Sequence, residues 1–464
     1  MNKTDKVLII GLDCFEPSLV FEQWKDQLPT FAKLRQHGHY GRLKSTIPAI
    51  TVPAWMSMMT SRNPGAMGFY GFRNRKDHSY DDMFFANSNA VKVPTLWKIL
   101  SRKRKKVVVM GVPQTYPPKP VNGCLIGCFL TPDTDADFTY PKDLKQEIWD
   151  NVGEYIIDVK NFRTDDKDYL LDQIYKMTDR RFETADYLMK NKPWDFFMMV
   201  EMGPDRLHHG MWKYHDPNHV GHVPDSPYKD SIRDYYIHLD RKIGELLKNV
   251  DLNNTAVMIV SDHGAKKMDG GFCFNDWLIQ EGYLVLKEPV TSPRTLKNSD
   301  IDFTKTKVWG SGGYYGRLFI NVEGREKTGV IPSSEYENFR TEVKERLEAV
   351  VDHNGDLMGN AAFRPQDIYS EVNGVSPDLI VYFGDLSWRS LGTIGNESLY
   401  VFENDTGPDD ANHAQHGMYI AAVPGLTGST EEERHITDIS PTVLSLLEVP
   451  IPAEMEGTAM EFGG

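Results

Sequence analysis

The chain lacks most of the features that mark secreted or membrane-spanning proteins. Cysteine is scarce among the 464 residues, and no apolar run approaches the length of a membrane span. The apolar run VLIIGL, which begins at residue 7, is too short for a signal peptide and is followed by no small-residue cleavage site. The cysteines have neither the spacing of a zinc knuckle nor that of a disulfide framework; they are Cys14, Cys124, Cys128 and Cys273. We therefore expect a cytoplasmic protein without a membrane anchor.

Positive charge is also in short supply. The 52 Lys and Arg residues are outnumbered by 66 Asp and Glu residues, which gives a formal net charge of -14. Proteins that bind nucleic acids generally neutralise phosphates with surplus cations. The composition therefore argues against a nucleic-acid duplex as partner, and a phosphate-containing ligand would have to meet locally placed cations.

Acidic residues follow three short apolar runs. Asp13 follows residues 7–12, Asp205 follows residues 195–201, and Asp262 follows residues 256–260. Such runs are typical of buried parallel strands, whose carboxyl ends carry the chemistry of α/β proteins. Helical periodicity between the runs is clearest in residues 228–249. The alternation predicts an α/β fold with a doubly wound, mostly parallel sheet and helices on both faces.

Two segments fit this alternation poorly. Residues 65–145 and 290–375 are rich in Gly, Pro, Asn and aromatic residues, and we expect them to be inserted caps over the site. The second segment contains a predicted strand, Arg317 to Val322, and a predicted helix, Glu335 to Val350. The expected division is a core formed by residues 1–289, with a cap insertion at about 65–145, then an inserted cap at 290–375 and a returning core segment at 376–464.

Carboxylate and imidazole side chains cluster at the predicted strand ends. Mixed oxygen and nitrogen ligands suit Zn or a similar first-row ion. Asp205 and His209 are four residues apart, so a helical turn would direct both to one ion, and Gly264 permits the sharp turn that adjacent ligands need. Taken singly, such an Asp is usually a helix cap and such a His a structural residue. Together they predict a metal site, with candidates Asp13, Asp205, His209, Asp262, His263 and His413.

Thr51 is the candidate nucleophile. It lies between Pro48 and Pro53, ahead of an apolar run, where it could present its hydroxyl at a helix N-terminus with backbone amides available to phosphate oxygens. A helix-capping role is the alternative for this residue alone. A threonine hydroxyl needs a metal to lower its pKa before it attacks. The predicted Thr51 nucleophile and the predicted metal site therefore depend on each other.

Six motifs resemble the alkaline phosphatase superfamily, and within it the type I phosphodiesterase and nucleotide pyrophosphatase branch. They are GLDCFEP, TVPAWMSMMTSRNPGAMG, PDRLHH, VSDHG, NHAQHG and DISPTVLSLLEVPIPAEMEG. The resemblance covers the whole chain and implies an alkaline-phosphatase-like fold with two divalent cations, Zn or alternatively Mn. It assigns one cation to Asp13, Thr51, Asp262 and His263, and the other to Asp205, His209 and His413. His208 and His416 are the alternatives to their neighbours, and Asn74 is the match for a phosphate-binding Asn.

The resemblance implies a phosphodiesterase or nucleotide pyrophosphatase that forms a phosphothreonine intermediate on Thr51. The expected substrate is a small phosphate ester, such as a nucleotide or nucleotide sugar. The sequence argues against a sulfatase, whose motif has Cys or Ser at the nucleophile position, Pro two residues on and Arg four on: Pro53 matches, but Thr51 and Trp55 stand where the Cys or Ser and the Arg would be. The alternatives are a phosphomonoesterase, a phosphomutase and a non-catalytic phosphate-binding protein. A monoester dianion demands extra positive charge, which could come from Arg62, Arg73, Arg75, Lys266 or Lys267.

Overall fold

The computed structural model describes residues 4–462, so the predicted core residues 1–3 and 463–464 lie outside the described residues. The strands, in chain order, are β1 (Lys6–Leu12), β2 (His37–Lys44), β3 (Arg73–Arg75), β4 (Met83–Phe85), β5 (Val107–Met110), β6 (Gly123–Ile126), β7 (Thr139–Tyr140), β8 (Phe196–Glu201), β9 (Thr255–Val260), β10 (Gly264–Lys267), β11 (Gly270–Phe272), β12 (Arg294–Thr295), β13 (Val308–Ser311), β14 (Gly316–Ile320), β15 (Ala361–Phe363), β16 (Leu379–Tyr382), β17 (Trp388–Ser390), β18 (Thr393–Ile394), β19 (Tyr400–Val401), β20 (Ala411–Ala414), β21 (His416–Ala422), β22 (Gly428–Glu431) and β23 (Arg434–His435).

The helices separate the strands of the core and add a few short turns elsewhere. In chain order they are α1 (Pro29–Arg35), α2 (Thr51–Thr60), α3 (Pro64–Met67), α4 (Leu96–Arg102), α5 (Leu144–Asn151), α6 (Lys167–Asn191), α7 (Gly203–His215), α8 (Ser231–Leu246), α9 (Phe274–Gln280), α10 (Tyr336–Glu348), α11 (Pro365–Ile368) and α12 (Ile439–Leu446). Among residues 4–462, no helix combines the length and apolar character that a membrane span requires.

A large, mostly parallel sheet forms the centre of the protein. Its strands lie in the order β22-β2-β21-β9-β1-β8-β5-β6-β7, with β23 also paired to β2. The neighbours β9, β1, β8, β5 and β6 are all parallel, whereas β21 is antiparallel to both β2 and β9. Every residue of β8 and β9 is buried, as expected for strands covered by helices on both faces. The predicted α/β fold with a mostly parallel sheet is confirmed.

The three apolar runs of the sequence are adjacent strands of this sheet. β1 pairs with β8 on one side and β9 on the other, so that Leu12 lies opposite Glu201 and Gly11 opposite Val260. The predicted helix at 228–249 is α8, which buries Ile232, Tyr235 and Leu239 on one side. The sheet therefore delivers three chain segments to one edge.

A second, smaller sheet has its own core. β13, β14, β16 and β15 form a four-stranded antiparallel sheet. Val343 and Leu347 of α10 join Phe274, Leu318 and Val381 in a separate hydrophobic cluster. The predicted strand at 317–322 and helix at 335–350 correspond to β14 and α10. This unit starts before residue 290 and extends beyond 375, so its limits are wider than those expected for the second cap.

The segment at about 65–145 differs from the expected inserted cap. Only β3 and β4 form a separate hairpin, whereas β5, β6 and β7 are strands of the central sheet. These strands are only two to four residues long and are separated by Pro- and Gly-containing loops, which hid the strand pattern in the sequence. The rest of the division into core and caps stays a prediction.

Candidate metal centre

The carboxyl ends of β1, β8 and β9 bring the sequence-predicted acids together. Asp13 directly follows β1, and Asp262 and His263 lie just beyond β9. Asp205 lies in the first turn of α7, which starts immediately after β8. Because the three strands are parallel neighbours, their carboxyl ends meet at one edge of the sheet. All four side chains are buried there.

The first group of donors comprises Asp13, Asp262 and His263, whose donor atoms all lie within 4.8 Å of one another. His263 Nε2 lies 3.2 Å from Asp262 Oδ2 and 3.9 Å from Asp13 Oδ1. Thr51 Oγ1 lies 3.4 Å from Asp13 Oδ1 and 3.4 Å from His263 Nε2. The structure therefore places the Thr51 hydroxyl directly against this group.

The second group comprises Asp205, His263 and His413, again with donor atoms within 4.8 Å of one another. His413 Nε2 lies 3.9 Å from Asp205 Oδ1, and His209 Nε2 lies 3.3 Å from the same oxygen. His413 reaches the cluster because β20 pairs with β10, which sets His413 opposite Ala265. His263 thus belongs to both groups, whereas the resemblance assigned it to the first alone.

Several polar atoms of this cluster have no hydrogen-bond partner. His209 Nε2, His413 Nε2 and Asp262 Oδ2 are buried and unpaired. Leaving a buried polar atom unpaired costs about 1–3 kcal/mol. Burial and the nearby Asp205 raise the pKa of Asp13 well above its ordinary range, and burial and Asp13 do the same to Asp262. A divalent cation would satisfy the unpaired atoms and neutralise the crowded carboxylates, so the donor set fits bound metal.

Each histidine of the cluster is oriented through its Nδ1 atom. His263 Nδ1 donates to the Gly264 carbonyl at 3.1 Å, and His413 Nδ1 donates to the Ala49 carbonyl at 2.9 Å. His209 Nδ1 lies 2.7 Å from Asp409 Oδ1 and 3.0 Å from the Ala411 carbonyl. These bonds leave Nε2 as the free nitrogen of each ring, which is the arrangement that metal-binding histidines require.

The two alternative histidines point elsewhere. His208 Nε2 lies 3.0 Å from the Tyr236 hydroxyl, and burial lowers the pKa of His208 to about 3. His416 lies beside Glu433, with its Nε2 3.4 Å from the carboxylate, and its side chain is partly exposed. Of each neighbouring pair, His209 and His413 are therefore the residues that the structure brings to Asp205.

Thr51 begins helix α2 and is buried at the cluster. On the next turn, the Trp55 indole N–H donates to Asp13 Oδ2 at 2.6 Å and so fixes that carboxylate. The Trp55 ring lies over Gly11 of β1, where a Cβ atom would come within 2.5 Å of it. Position 11 therefore needs glycine because the indole that holds Asp13 occupies the space of a side chain.

The predicted phosphate contact of Asn74 is not apparent in its local bonding. The Asn74 side chain accepts from the Tyr70 amide at 2.7 Å and donates to the Gly71 carbonyl at 2.8 Å. Both polar atoms therefore stabilise the turn before β3. The substrate-binding role of Asn74 stays a prediction, and it would have to compete with these bonds.

Asp409 and Tyr314 are functional candidates that the sequence did not assign. Asp409 is fully buried; its burial raises the carboxyl pKa, but His209, Arg389 and Arg163 outweigh this effect and lower the pKa to about 2. The Tyr314 hydroxyl donates to Asp409 Oδ2 at 2.9 Å, and its ring stacks on His413 with centroids 4.5 Å apart. Asp409 lies only four residues before His413, and this proximity was the available signal.

We expect Asp409→Asn to weaken metal binding by about 10- to 100-fold, because the His209 Nδ1–H would lose its anionic acceptor. The measurement is the metal dissociation constant, obtained by titrating chelated protein. Asp410→Asn is the matched control, since the Asp410 carboxylate pairs with Lys213 and not with a cluster histidine. An unchanged metal affinity in Asp409→Asn, beside a folded control, would contradict the orienting role of Asp409.

The chain is similar to known proteins both in sequence and in fold. A family model described as type I phosphodiesterase / nucleotide pyrophosphatase matches residues 7–417, which include every cluster residue named above. The solved structure of human ectonucleotide pyrophosphatase / phosphodiesterase 5 is similar, with a TM-score of 0.55 and 13% sequence identity. That alignment covers 99% of this chain and 97% of the human chain, and it supports the fold alone. No curated protein matches the sequence significantly.

Proposed function

Because the chain belongs to the type I phosphodiesterase / nucleotide pyrophosphatase family and is a phosphoric ester hydrolase, we propose that Thr51 is its nucleophile and that two divalent cations assist it. One observation carries this proposal: the Thr51 hydroxyl lies 3.4 Å from both Asp13 and His263, within a buried cluster whose ligand atoms lack partners. A threonine in a merely structural role would not need unpaired imidazoles and carboxylates around it.

The residues divide into two ligand sets. Asp13, Thr51, Asp262 and His263 would hold one cation, while Asp205, His209 and His413 would hold the other. When bound, such cations lower the pKa of a hydroxyl and stabilise negative charge on the phosphate and leaving-group oxygens. Four carboxylate or hydroxyl donors with three imidazoles favour Zn, with Mn as the alternative.

Thr51 carries the covalent chemistry. Its oxygen forms a bond to phosphorus as the bond to the leaving oxygen breaks, and the leaving alcohol takes up a proton. Water then attacks the phosphothreonine, breaks the bond between phosphorus and Thr51, and returns a proton to the threonine oxygen. Trp55 holds Asp13 in place throughout, and the burial of Thr51 limits competing attack by bulk water.

The pairing of the cations near the motif loops with acidic residues favours a diester over a monoester substrate. A monoester dianion needs more unpaired positive charge than a diester monoanion. Four of the five cations singled out in the sequence are already paired: Arg62 with Glu371, Arg75 with Glu326, Lys266 with Asp385 and Lys267 with Asp269. Arg206 is likewise paired, with Asp158 and Asp205. We therefore propose a phosphodiesterase or pyrophosphatase for small esters such as nucleotides or nucleotide sugars.

We expect metal-loaded protein to cleave bis-p-nitrophenyl phosphate with a kcat/KM at least about ten-fold above that for p-nitrophenyl phosphate. The second substrate is a dianion, and a site with few unpaired cations stabilises a dianion less well than the monoanionic diester. Steady-state release of p-nitrophenol measures both rates. The same enzyme stripped of metal is the control. Preference for the monoester would identify a phosphatase, and transfer of phosphate to a second substrate without free orthophosphate would identify a phosphomutase.

A further inference from the structure

A cavity of about 210 Å³ lies between α2, α4 and the loops at 88–95 and 114–121. Met56 of α2, Trp97 of α4 and Leu125 of β6 are among the apolar residues that line it. No residue of the metal cluster lines it. Met56 nevertheless lies on the helix that starts at Thr51, about a turn and a half further along. The cavity is thus separate from the metal cluster but is built on the helix that carries the nucleophile.

Four cations and no acid line this cavity. They are Lys92, Lys98, Arg102 and Lys119. Within residues 4–462, none of them forms an ion pair with a carboxylate. Burial and the neighbouring Lys92 and Lys98 lower the pKa of the Lys119 ammonium. Such a concentration of unpaired positive charge is unusual in a chain with a net charge of -14.

One buried polar atom at the cavity lacks a partner. Gln114 is only 2% exposed and lines the cavity. Its Nε2 donates to the Ala86 carbonyl at 3.1 Å, which fixes the amide orientation, and its Oε1 has no hydrogen-bond partner. The cavity thus combines unpaired cations, an apolar surface that includes an indole ring, and a free acceptor for a hydroxyl or N–H group.

We propose that this cavity binds a small organic phosphomonoester. The phosphate dianion would lie among Lys92, Lys98 and Lys119, since a group with two charges and three acceptor oxygens can engage several ammonium groups at once. The apolar or aromatic body of the ligand would rest on Trp97 and Met56. A donor group on that body would satisfy Gln114 Oε1.

The proposed ligand class links the cavity to the chemistry of the cluster. Hydrolysis of a phosphodiester releases a phosphomonoester, so the ligand class is that of the reaction product. This link alone rests on the proposed function, whereas the charge and shape of the cavity do not. Because the cavity shares α2 with Thr51, its occupation would restrict the helix that positions the nucleophile.

The test is calorimetric titration of metal-loaded Thr51→Ala protein, in which turnover is blocked, with phenyl phosphate. We expect two equivalents to bind, one at the cluster and one at the cavity. Adding Lys98→Glu and Lys119→Glu is expected to remove the cavity equivalent or weaken it at least ten-fold. Lys103→Glu with Lys160→Glu is the charge-matched control, since neither residue lines the cavity, and it should keep both equivalents.

Two further measurements test the proposal: the binding of other anions, and the activity and stability of the lysine variant. Inorganic phosphate and benzoate should bind the cavity at least ten-fold more weakly than phenyl phosphate, because the first lacks the apolar body and the second has a single charge. The Lys98→Glu and Lys119→Glu pair, placed in protein that retains the native Thr51, should leave both diester turnover and the melting temperature at the native values. The proposal would be overturned if the folded Thr51→Ala protein that also carries Lys98→Glu and Lys119→Glu still bound two equivalents of phenyl phosphate. This binding measurement does not depend on whether the protein cleaves a diester.

Discussion

Replacing Thr51 with Ala is expected to reduce cleavage of bis-p-nitrophenyl phosphate by about 10³-fold or more, because the substitution removes the hydroxyl that lies against the Asp13 carboxylate and the His263 Nε2 atom. Asp13, Asp262 and His263 remain in place, so bound metal should largely persist. Steady-state rates measure the loss, and metal analysis of the same sample separates it from a loss of the ion.

Two variants serve as controls for the Thr51 substitution. Thr51→Ser keeps a hydroxyl at the same place and should stay within about 100-fold of the native rate. Thr60→Ala removes a hydroxyl from the far end of α2, where it bonds to the Met56 carbonyl, and should leave the rate nearly unchanged. A phosphorylated Thr51 peptide in acid-quenched reactions would support the intermediate directly. Near-native turnover by Thr51→Ala would eliminate the nucleophile assignment.

Removing metal with a chelator is expected to abolish turnover and to lower the melting temperature near pH 7.5 by several degrees. Bound ions stabilise the folded state by mass action, by about 2.7 kcal/mol at a hundred times the dissociation constant. Without them, Asp13, Asp205 and Asp262 face one another in a buried site. Thermal unfolding of loaded and stripped protein measures the difference, and restoring Zn or Mn should recover both activity and melting temperature.

The stabilisation by metal should shrink as the pH falls from about 7.5 to 5. In the stripped protein the pKa values of Asp13 and Asp262 lie above their ordinary range, so stability associated with these groups is present in acid and lost as the pH rises. Burial lowers the pKa of His209, but Asp409 and Asp205 outweigh it and raise that pKa to about 9. Metal therefore competes with protons at all three residues, and acid weakens its binding.

The histidines with lowered pKa values do not alter this trend. Burial lowers the pKa of His263 to about 4 and that of His413 well below its ordinary range, and both shifts favour the neutral ring. Chemical denaturation at each pH, on loaded and stripped samples in parallel, isolates the metal contribution. A gap in stability that grows on acidification, or no gap after verified removal of metal, would contradict the proposed centre.

The part of the fold nearest the site could be predicted from the sequence. β1, β8 and β9 are buried strands, so their sequences are largely apolar runs, and Asp13, Asp205 and Asp262 each lie within four residues of the end of one of them. Parallel pairing of the three strands then placed the acids at one edge. The position of His413 could not be predicted in this way, because the pairing of β20 with β10 brings it to the cluster.

Other parts could not be predicted from local sequence, for physical reasons. β5 and β6 are four residues each, too short for a period to show, and their place in the sheet depends on the pairing of β5 with β8 and of β6 with β5. Asp409 looks like any loop acid until folding buries it against His209 and two arginines. The pairing of Arg75 with Glu326 also depends on a contact between segments far apart in the chain.

The order of ligands along the chain has a consequence for biosynthesis. Asp13, Thr51, Asp262 and His263 all precede residue 264, so a growing chain contains one donor group before the second cap sequence has been translated. His413 comes much later, and the ribosome, which adds about 5–20 residues per second, reaches it only after the whole of the smaller sheet. The two halves of the centre therefore become available to the nascent protein at different times, and the second half can form only when synthesis is nearly finished.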